Sequence, residues 1–499
     1  MRSINTGYFN LFPVIGVLGA FLFFMGFALL LPVFIDLIYQ EHTWHSFLTS
    51  ALIAFSVGGA LWYFFKPTQE LKIREGFLVV SSTWLMLSLL GALPFVISGI
   101  LPSYTDAVFE TMSGLTTTGS TILGGTTSDG LENPMIEELP KSFLFWRSLS
   151  HWLGGMGIIV LSIAILPLLG IGGMQLFQAE SPGPTADKLT PRVQETAKLL
   201  WVVYFAFTML EFVLLWLHPR MDWFDAINHA FATLATGGFS TKNTSVQAFD
   251  SAYIDWIITL FMFLAGINFA MHFRLLKGDY RTFFNNRETR FYTIITLVGI
   301  LGVSFSLWHF DGRSILDALR YGAFQVVAIV TTTGFGTDDY ELWYSFGAFF
   351  LFLLFFTGGS AGSTGGGIKM IRWMILIRNT FREIKQIIHP RAILPVRIGE
   401  QAIDMNIQRT VLSFFILYMF TFGLGAFFIS LFGYDMMSSI GASISALGNI
   451  GPGWGDFGPT DSFAPLPYTG KWVLIFLMMA GRLEIFTVLI IFSPTFWKQ

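Results

Sequence analysis

The seven residues Thr331-Thr332-Thr333-Gly334-Phe335-Gly336-Thr337 have the types and order of a cation filter. Backbone carbonyls can replace the water around a cation only where the chain is extended and side chains stand clear, and Gly334 and Gly336 would supply that backbone freedom. One such loop is a weak signal in a chain with 50 Gly among 499 residues. It recurs, however, as Thr116-Thr117-Thr118-Gly119-Ser120-Thr121, Ala235-Thr236-Gly237-Gly238-Phe239-Ser240 and Gly448-Asn449-Ile450-Gly451-Pro452-Gly453. Four loops on one chain can close a ring of carbonyls. The expected lining is Thr117, Thr118 and Gly119; Thr236, Gly237 and Gly238; Thr332, Thr333 and Gly334; and Asn449, Ile450 and Gly451. The central residue is glycine in every loop, while Gly237 and the pair Asn449-Ile450 depart from the Thr-Thr-Gly pattern and point to a looser filter than a symmetric tetramer has.

A second constellation has the makings of a gate. The apolar run 346–356 is too short to cross a bilayer and gives way to Thr357-Gly358-Gly359-Ser360-Ala361-Gly362-Ser363-Thr364-Gly365-Gly366-Gly367. Each Gly costs a helix interior about 0.8–1.0 kcal/mol relative to Ala, so this stretch is expected to be irregular, which a bilayer tolerates only where protein or water surrounds it. Arg482 lies about ten residues into another apolar run, too deep to reach water, and is expected to face the interior and a carboxylate or carbonyl partner. Glu484, two positions away, is on a different face of the helix. The expectation is that the glycine-rich loop and Arg482 obstruct the path beneath the filter.

The elements that position these residues follow from composition. The chain is 53% hydrophobic and 12% charged, with 55 Phe. Soluble domains carry about 25% charged residues, so a polytopic membrane protein is implied. Cysteine is absent, which excludes disulfides and thiolate chemistry. Ten apolar runs approach the ~20 residues of a spanning helix: 11–35, 46–65, 76–101, 143–169, 199–217, 254–273, 291–308, 346–377, 410–432 and 472–492. The first is too long for a signal peptide and reads as a span. With the N-terminus inside, most basic residues fall on cytoplasmic segments, above all between Arg274 and Arg290 and between Lys369 and Arg409. The outer segments hold Lys141, Arg147, Arg220, Lys242, Arg313, Arg320 and Lys471.

Each filter loop follows a segment too short to span, at 106–116, 225–235, 317–331 and 435–447. Asp106, Asp225, Asp317 and Asp435 open these segments, where a carboxylate would cap free amides, leaving the negative helix ends aimed at the cation. The expected fold is therefore an all-α polytopic membrane protein of ten transmembrane helices. An N-terminal pair (1–70) precedes four units of helix, pore helix, filter and helix (71–185, 186–285, 286–400 and 401–499).

Other motifs are weaker. Gly358-Gly359-Ser360-Ala361-Gly362 matches the G-x-S-x-G of serine hydrolases, but it interrupts a span and lacks the strand-to-helix elbow. His151 and Trp152 adjoin Gly154-Gly155-Met156-Gly157, which suits close helix packing better than a metal site. Glu110, in the first pore segment, and Glu211, in an apolar run, each need a partner or a proton. Glu110 could bond the filter backbone and Glu211 could anchor structure, and either could couple protons. The basic segment 369–409 is an ordinary inner loop or a docking site for a regulatory subunit. No G-x-x-x-x-G-K-[ST] loop is present, and Gly367-Ile368-Lys369 is not one, so nucleotide control would need a separate chain.

Four non-identical pore units, the TTTG, ATGGFS, TTTGFG and GNIGPG loops, His151 to Gly157 and Gly481-Arg482-Leu483-Glu484 together resemble the Trk/Ktr/HKT superfamily of potassium transporters. The N-terminal pair resembles its Trk-type branch. That resemblance implies potassium uptake across a bacterial inner membrane, with both termini cytoplasmic, a homodimer, a cytoplasmic nucleotide-binding subunit of the TrkA type, and no nucleic acid. It further implies no catalytic residues and no organic cofactor, with potassium at the filter residues as substrate. In the plant branch a serine at the first central position goes with sodium preference, so glycine at 119 implies potassium. The alternative is a proton- or sodium-coupled symporter with alternating access, for which two related halves rather than four like units would be expected.

Overall fold

The structure, a computed structural model, describes residues 11–65, 73–164, 189–399 and 401–497. In chain order its helices are α1 (Leu11–Tyr39), α2 (Trp44–Phe64), α3 (Ile73–Gly91), α4 (Leu93–Ser98), α5 (Tyr104–Leu115), α6 (Lys141–Ala164) and α7 (Leu189–Trp216). They continue with α8 (Trp223–Leu234), α9 (Ala252–Ala265), α10 (Phe269–Leu276), α11 (Tyr280–Asn285), α12 (Arg287–His309) and α13 (Ile315–Val330). The last are α14 (Ser345–Leu354), α15 (Met370–Ile388), α16 (Met405–Ser430), α17 (Met436–Gly448), α18 (Tyr468–Arg482), α19 (Ile485–Leu489) and α20 (Pro494–Trp497). A two-residue antiparallel hairpin pairs Arg397 with Ala402 and Ile398 with Gln401.

Six of these segments are long and apolar enough to cross a membrane, and two bent pairs bring the number to eight. The bends are 100° between α9 and α10 and 118° between α18 and the helices after Glu484. Two further expected runs take other forms. α6 carries Arg147 and His151, and its expected end at 169 lies outside the described residues. The run 346–377 is split into α14 and α15 by an irregular stretch. Outward faces carry large apolar side chains, among them Phe24, Phe27 and Phe34 on α1 and Phe420 and Phe427 on α16. Such continuous apolar surface is stable against lipid and not against water. α1 and α2 meet backbone to backbone, since a methyl group at Gly58 would stand 2.4 Å from Phe23 N, so only small residues permit the crossing.

Inside this shell stand four helices too short to span: α5, α8, α13 and α17, of 12, 12, 16 and 13 residues. Every residue of α5 from Asp106 to Leu115 is buried. Their caps correct the sequence expectation at three of four starts. Ser103, Asp222 and Ser314 accept the capping bonds from the amides of Asp106, Asp225 and Asp317, whereas Asp435 itself caps, accepting from Ser438 N at 2.8 Å. A small polar residue followed three later by an acid is a capping pattern, and reading the acid as the cap starts the helix one turn late.

The charges assigned to outer segments are corrected too. Arg147 lies inside α6 and meets Glu110 at 2.7 Å, Lys471 lies in the first turn of α18 and meets Asp106 at 2.6 Å, and Arg320 lies in α13 and meets Asp255 at 2.6 Å. Each ties one of the four short helices to a neighbouring helix. Desolvated pairs like these hold position rather than mark a water-exposed loop.

Candidate ion pathway

Each short helix ends in the same way. A left-handed residue ends all four: Thr117 (φ 50°), Thr236 (52°) and Thr332 (59°), each just after the cap, and Asn449 (54°), the cap itself. Its amide and the next bond back to the last turn, as Thr117 N to Gly114 O (3.0 Å) and Thr118 N to Ser113 O (2.8 Å) do in the first loop. The same pair of bonds closes the other three, through Thr236 and Gly237, Thr332 and Thr333, and Asn449 and Ile450. This is a Schellman ending built on threonine, where glycine is usual and a β-branched residue is strained. Two residues on, Gly119 (φ 87°), Gly238 (79°), Gly334 (76°) and Gly451 (108°) are left-handed as well. Gly336 is not, so the freedom expected of it belongs instead to Thr332.

The four glycines touch the neighbouring loop in cyclic order. A methyl group on Gly119 would lie 2.2 Å from Gly237 O, on Gly238 2.0 Å from Thr333 O, on Gly334 1.8 Å from Ile450 O, and on Gly451 2.8 Å from Thr118 O. First loop meets second, second third, third fourth, and fourth first. All four glycines line one open vestibule with Ser120, Phe239 and Pro452. Thr117, Thr118, Thr236, Thr332, Thr333, Asn449 and Ile450 are fully buried. No donor among the described residues bonds to their carbonyl oxygens. Buried acceptors without protein donors, beside four negative helix ends, suit a partly dehydrated cation.

Side chains brace the ring from behind. Nine residues before each of the first three glycines stand Glu110, His229 and Gln325, all fully or almost fully buried. Glu110 accepts from Ile122 N at 3.1 Å, His229 Nε2 meets Ser240 Oγ at 2.9 Å, and Gln325 Oε1 accepts from Thr337 N at 3.2 Å. The fourth loop is held differently: Asn449 Nδ2 donates to Thr118 Oγ1 (3.0 Å) and to Met478 O (2.9 Å), and Ser445 Oγ donates to Gly451 O (2.6 Å).

Beneath the ring lies the glycine-rich stretch between α14 and α15. Gly366 N donates to Thr332 Oγ1 at 2.6 Å, and a methyl group on Gly366 would stand 2.4 Å from Gly448 O. Thr364 Oγ1 donates to Leu234 O at 3.0 Å. The stretch thus touches the C-terminal ends of α8, α13 and α17. Gly358, Gly359, Ser360, Gly365 and Gly366 are buried, and Gly362 and Gly367 take positive φ of 75° and 61°. Arg482 closes the remaining side, donating from Nη1 to Thr364 O (2.6 Å), with Nη2 3.5 Å from Gly154 O on α6. Its partners are carbonyls. Glu484, as its position implied, pairs elsewhere, with Arg372 at 2.6 Å.

The model of the TrkH family, described as a cation transport protein, matches residues 44–499. The Trk system potassium uptake protein TrkH of Escherichia coli K12 is 40% identical over 488 residues, covering 97% of this chain and 98% of that protein. The family is decided by that coverage. The chain belongs to the TrkH family of cation transport proteins. Escherichia coli TrkG is 34% identical over 504 residues, 99% of this chain and 100% of that one. The crystal structure of the potassium transporter TrkH from Vibrio parahaemolyticus superposes with a TM-score of 0.89 at 37% identity, over 98% of this chain and 100% of that chain.

Within this TrkH-family chain three bracing residues escaped the sequence reading: His229 and Gln325, which it did not single out, and His151. His151, assigned to packing, donates from Nδ1 to Gly114 O (2.8 Å) while its Nε2 accepts from Phe239 N (3.2 Å). It therefore bridges the end of α5 to the second of the four loops. The accepting nitrogen requires a singly protonated ring. A lone histidine before a glycine run carries no sequence mark of a contact 88 residues away. Glu110, left open between a filter brace and a proton site, is engaged by Arg147 and Thr121 as well as Ile122.

Proposed function

We propose that this TrkH-family chain is the membrane subunit of a potassium uptake system, passing the ion down its electrochemical gradient through a channel-like filter. The filter is formed by Thr117 to Gly119, Thr236 to Gly238, Thr332 to Gly334 and Asn449 to Gly451. The observation that carries this reading is the cyclic contact of the four central glycines, each against a carbonyl of the next loop. Supporting it, the Escherichia coli relative 40% identical to this chain is a potassium uptake protein. The buried carbonyls supply oxygens in place of water, and a membrane potential supplies about 2.3 kcal/mol per charge per 100 mV.

Below the filter, the stretch from Gly358 to Gly367 and Arg482 form the gate. A fixed guanidinium opposes a cation, and small residues let the loop shift without losing side-chain packing. Ten spans arranged as an N-terminal pair (1–70) and four pore units (71–185, 186–285, 286–400 and 401–499) complete the fold, in a bacterial inner membrane with both termini cytoplasmic. The relatives are parts of a Trk system, which favours regulation by a partner. A homodimer with a TrkA-type nucleotide-binding subunit is the assembly in view.

Flux in liposomes holding the purified chain tests the transport mode. Potassium movement that follows the membrane potential and ignores an imposed proton or sodium gradient is expected. Uphill potassium movement driven by either gradient would replace this reading with a coupled symporter.

A further inference from the structure

Outside the pathway just described, one buried carboxyl group among the described residues makes no hydrogen bond. Glu211 lies in α7 with an exposure of 0%, and among the described residues neither carboxyl oxygen has a hydrogen-bond partner. The side chain facing it is Thr233, in the last turn of α8, three residues before filter residue Thr236. Thr233 gives its hydroxyl hydrogen to His229 O at 2.7 Å. With its hydrogen there, the Thr233 oxygen is free to accept from a carboxylic acid, whereas donating to a carboxylate would require it to give up His229 O.

Among the described residues, the charged groups on the surrounding elements are engaged elsewhere. On α6, Arg147 is engaged by Glu110, and His151 is spent between Gly114 O and Phe239 N. On α8, Asp225 meets Lys242 at 3.5 Å, and His229 is held by Asp225 O and Ser240 Oγ. On α9, Asp255 meets Arg320, and on α10 His272 bonds Leu264 O. On α7 itself, Tyr204 donates to Trp152 O. An ionised carboxyl buried among such groups, unpaired in a membrane helix, is costly enough that it takes up a proton instead.

We propose that Glu211 is a proton-binding site in the wall of the second pore unit, through which pH acts on potassium flux. With the proton on, the carboxyl donates to Thr233 and α7 packs flush against α8. With it off, a bare charge faces the end of α8 and the second filter loop loses its backing, so flux falls. The flux part rests on the proposed transport function; the protonation part does not.

Infrared difference spectroscopy of the reconstituted full chain reads the proton directly. The wild type should show the carbonyl stretch of a protonated carboxylic acid, and Glu211→Gln should lose it. Thr233→Val, which removes the acceptor, should shift that band even if the glutamine variant folds poorly. A spectrum without the band, or one unchanged in both variants, overturns the proposal. Rubidium flux across neutral to alkaline pH then reads the consequence: wild-type flux should decline as pH rises, and Glu211→Gln should keep the low-pH rate throughout. An identical decline in that variant overturns the link to flux. Absence of any flux at all pH values would count against the transport reading and leave the infrared result standing.

Discussion

Gly119 shows how little room the ring leaves at a single residue. Its φ of 87° is one that L side chains rarely adopt, and a methyl group there would lie 2.2 Å from Gly237 O, a backbone atom that cannot rotate away. Serine at this position must displace the carbonyl of the next loop. A left-handed non-glycine residue costs roughly 1–2 kcal/mol. If that cost falls on the potassium-bound geometry, Gly119→Ser lowers the potassium-to-sodium uptake ratio by about tenfold, since 1.4 kcal/mol is a factor of ten. Competitive uptake measurements check this, and an unchanged ratio would remove the first loop from the filter. The left-handed threonines teach a different lesson. Thr117, Thr236 and Thr332 carry backbone strain that composition does not hint at, because sequence reasoning assigns such conformations to glycine.

At the scale of elements, the interrupted run between α14 and α15 was legible because six glycines among eleven residues cannot be a good helix. Its contacts were not. Gly366 N reaches Thr332 Oγ1, so the stretch hangs from the third of the four loops, and Arg482 pins it through Thr364 O. Glu288, in the first turn of α12, accepts from Ala361 N (2.7 Å) and Ile371 N (3.1 Å), clasping the stretch to the start of α15. Two changes are expected to raise potassium flux severalfold without altering selectivity: Arg482→Ala, which removes the positive charge, and deletion of residues 359–366, which removes the obstruction. Flux at the wild-type level in both, in correctly folded protein, would place the gate elsewhere. The short helices show the same division. Their existence followed from length and hydropathy, whereas their first turns were displaced because Ser103, Asp222 and Ser314, rather than the acids after them, accept the capping bonds.

At the scale of the whole molecule, a buried ion pair joins two helices far apart in the chain. Lys471 in α18 and Asp106 in α5 lie 365 residues apart and meet at 2.6 Å, with side chains 0% and 1% exposed. Removing one partner strands the other charge, at a cost of about 3–5 kcal/mol, whereas removing both is far milder. Lys471→Met should therefore lower the thermal unfolding midpoint in detergent markedly, and the double variant Lys471→Met, Asp106→Asn should recover most of the loss. A single variant as stable as the wild type would show that the pair does not hold the first and last units together. Sequence by itself determined the membrane class, the irregular loop and the four candidate filter loops, since hydropathy, glycine clustering and repeated local motifs are written in consecutive residues. It also determined that Glu484 would not be the partner of Arg482, because helix geometry fixes which faces two neighbours share, while a carboxylate elsewhere or a carbonyl both stayed open. Only the tertiary structure decided the order in which the loops touch, the bridging role of His151, the isolation of Glu211 and the pairing of Arg147, Arg320 and Lys471. Each of these depends on where distant segments meet, and a residue's type states what it can bond without stating what the fold will bring within reach.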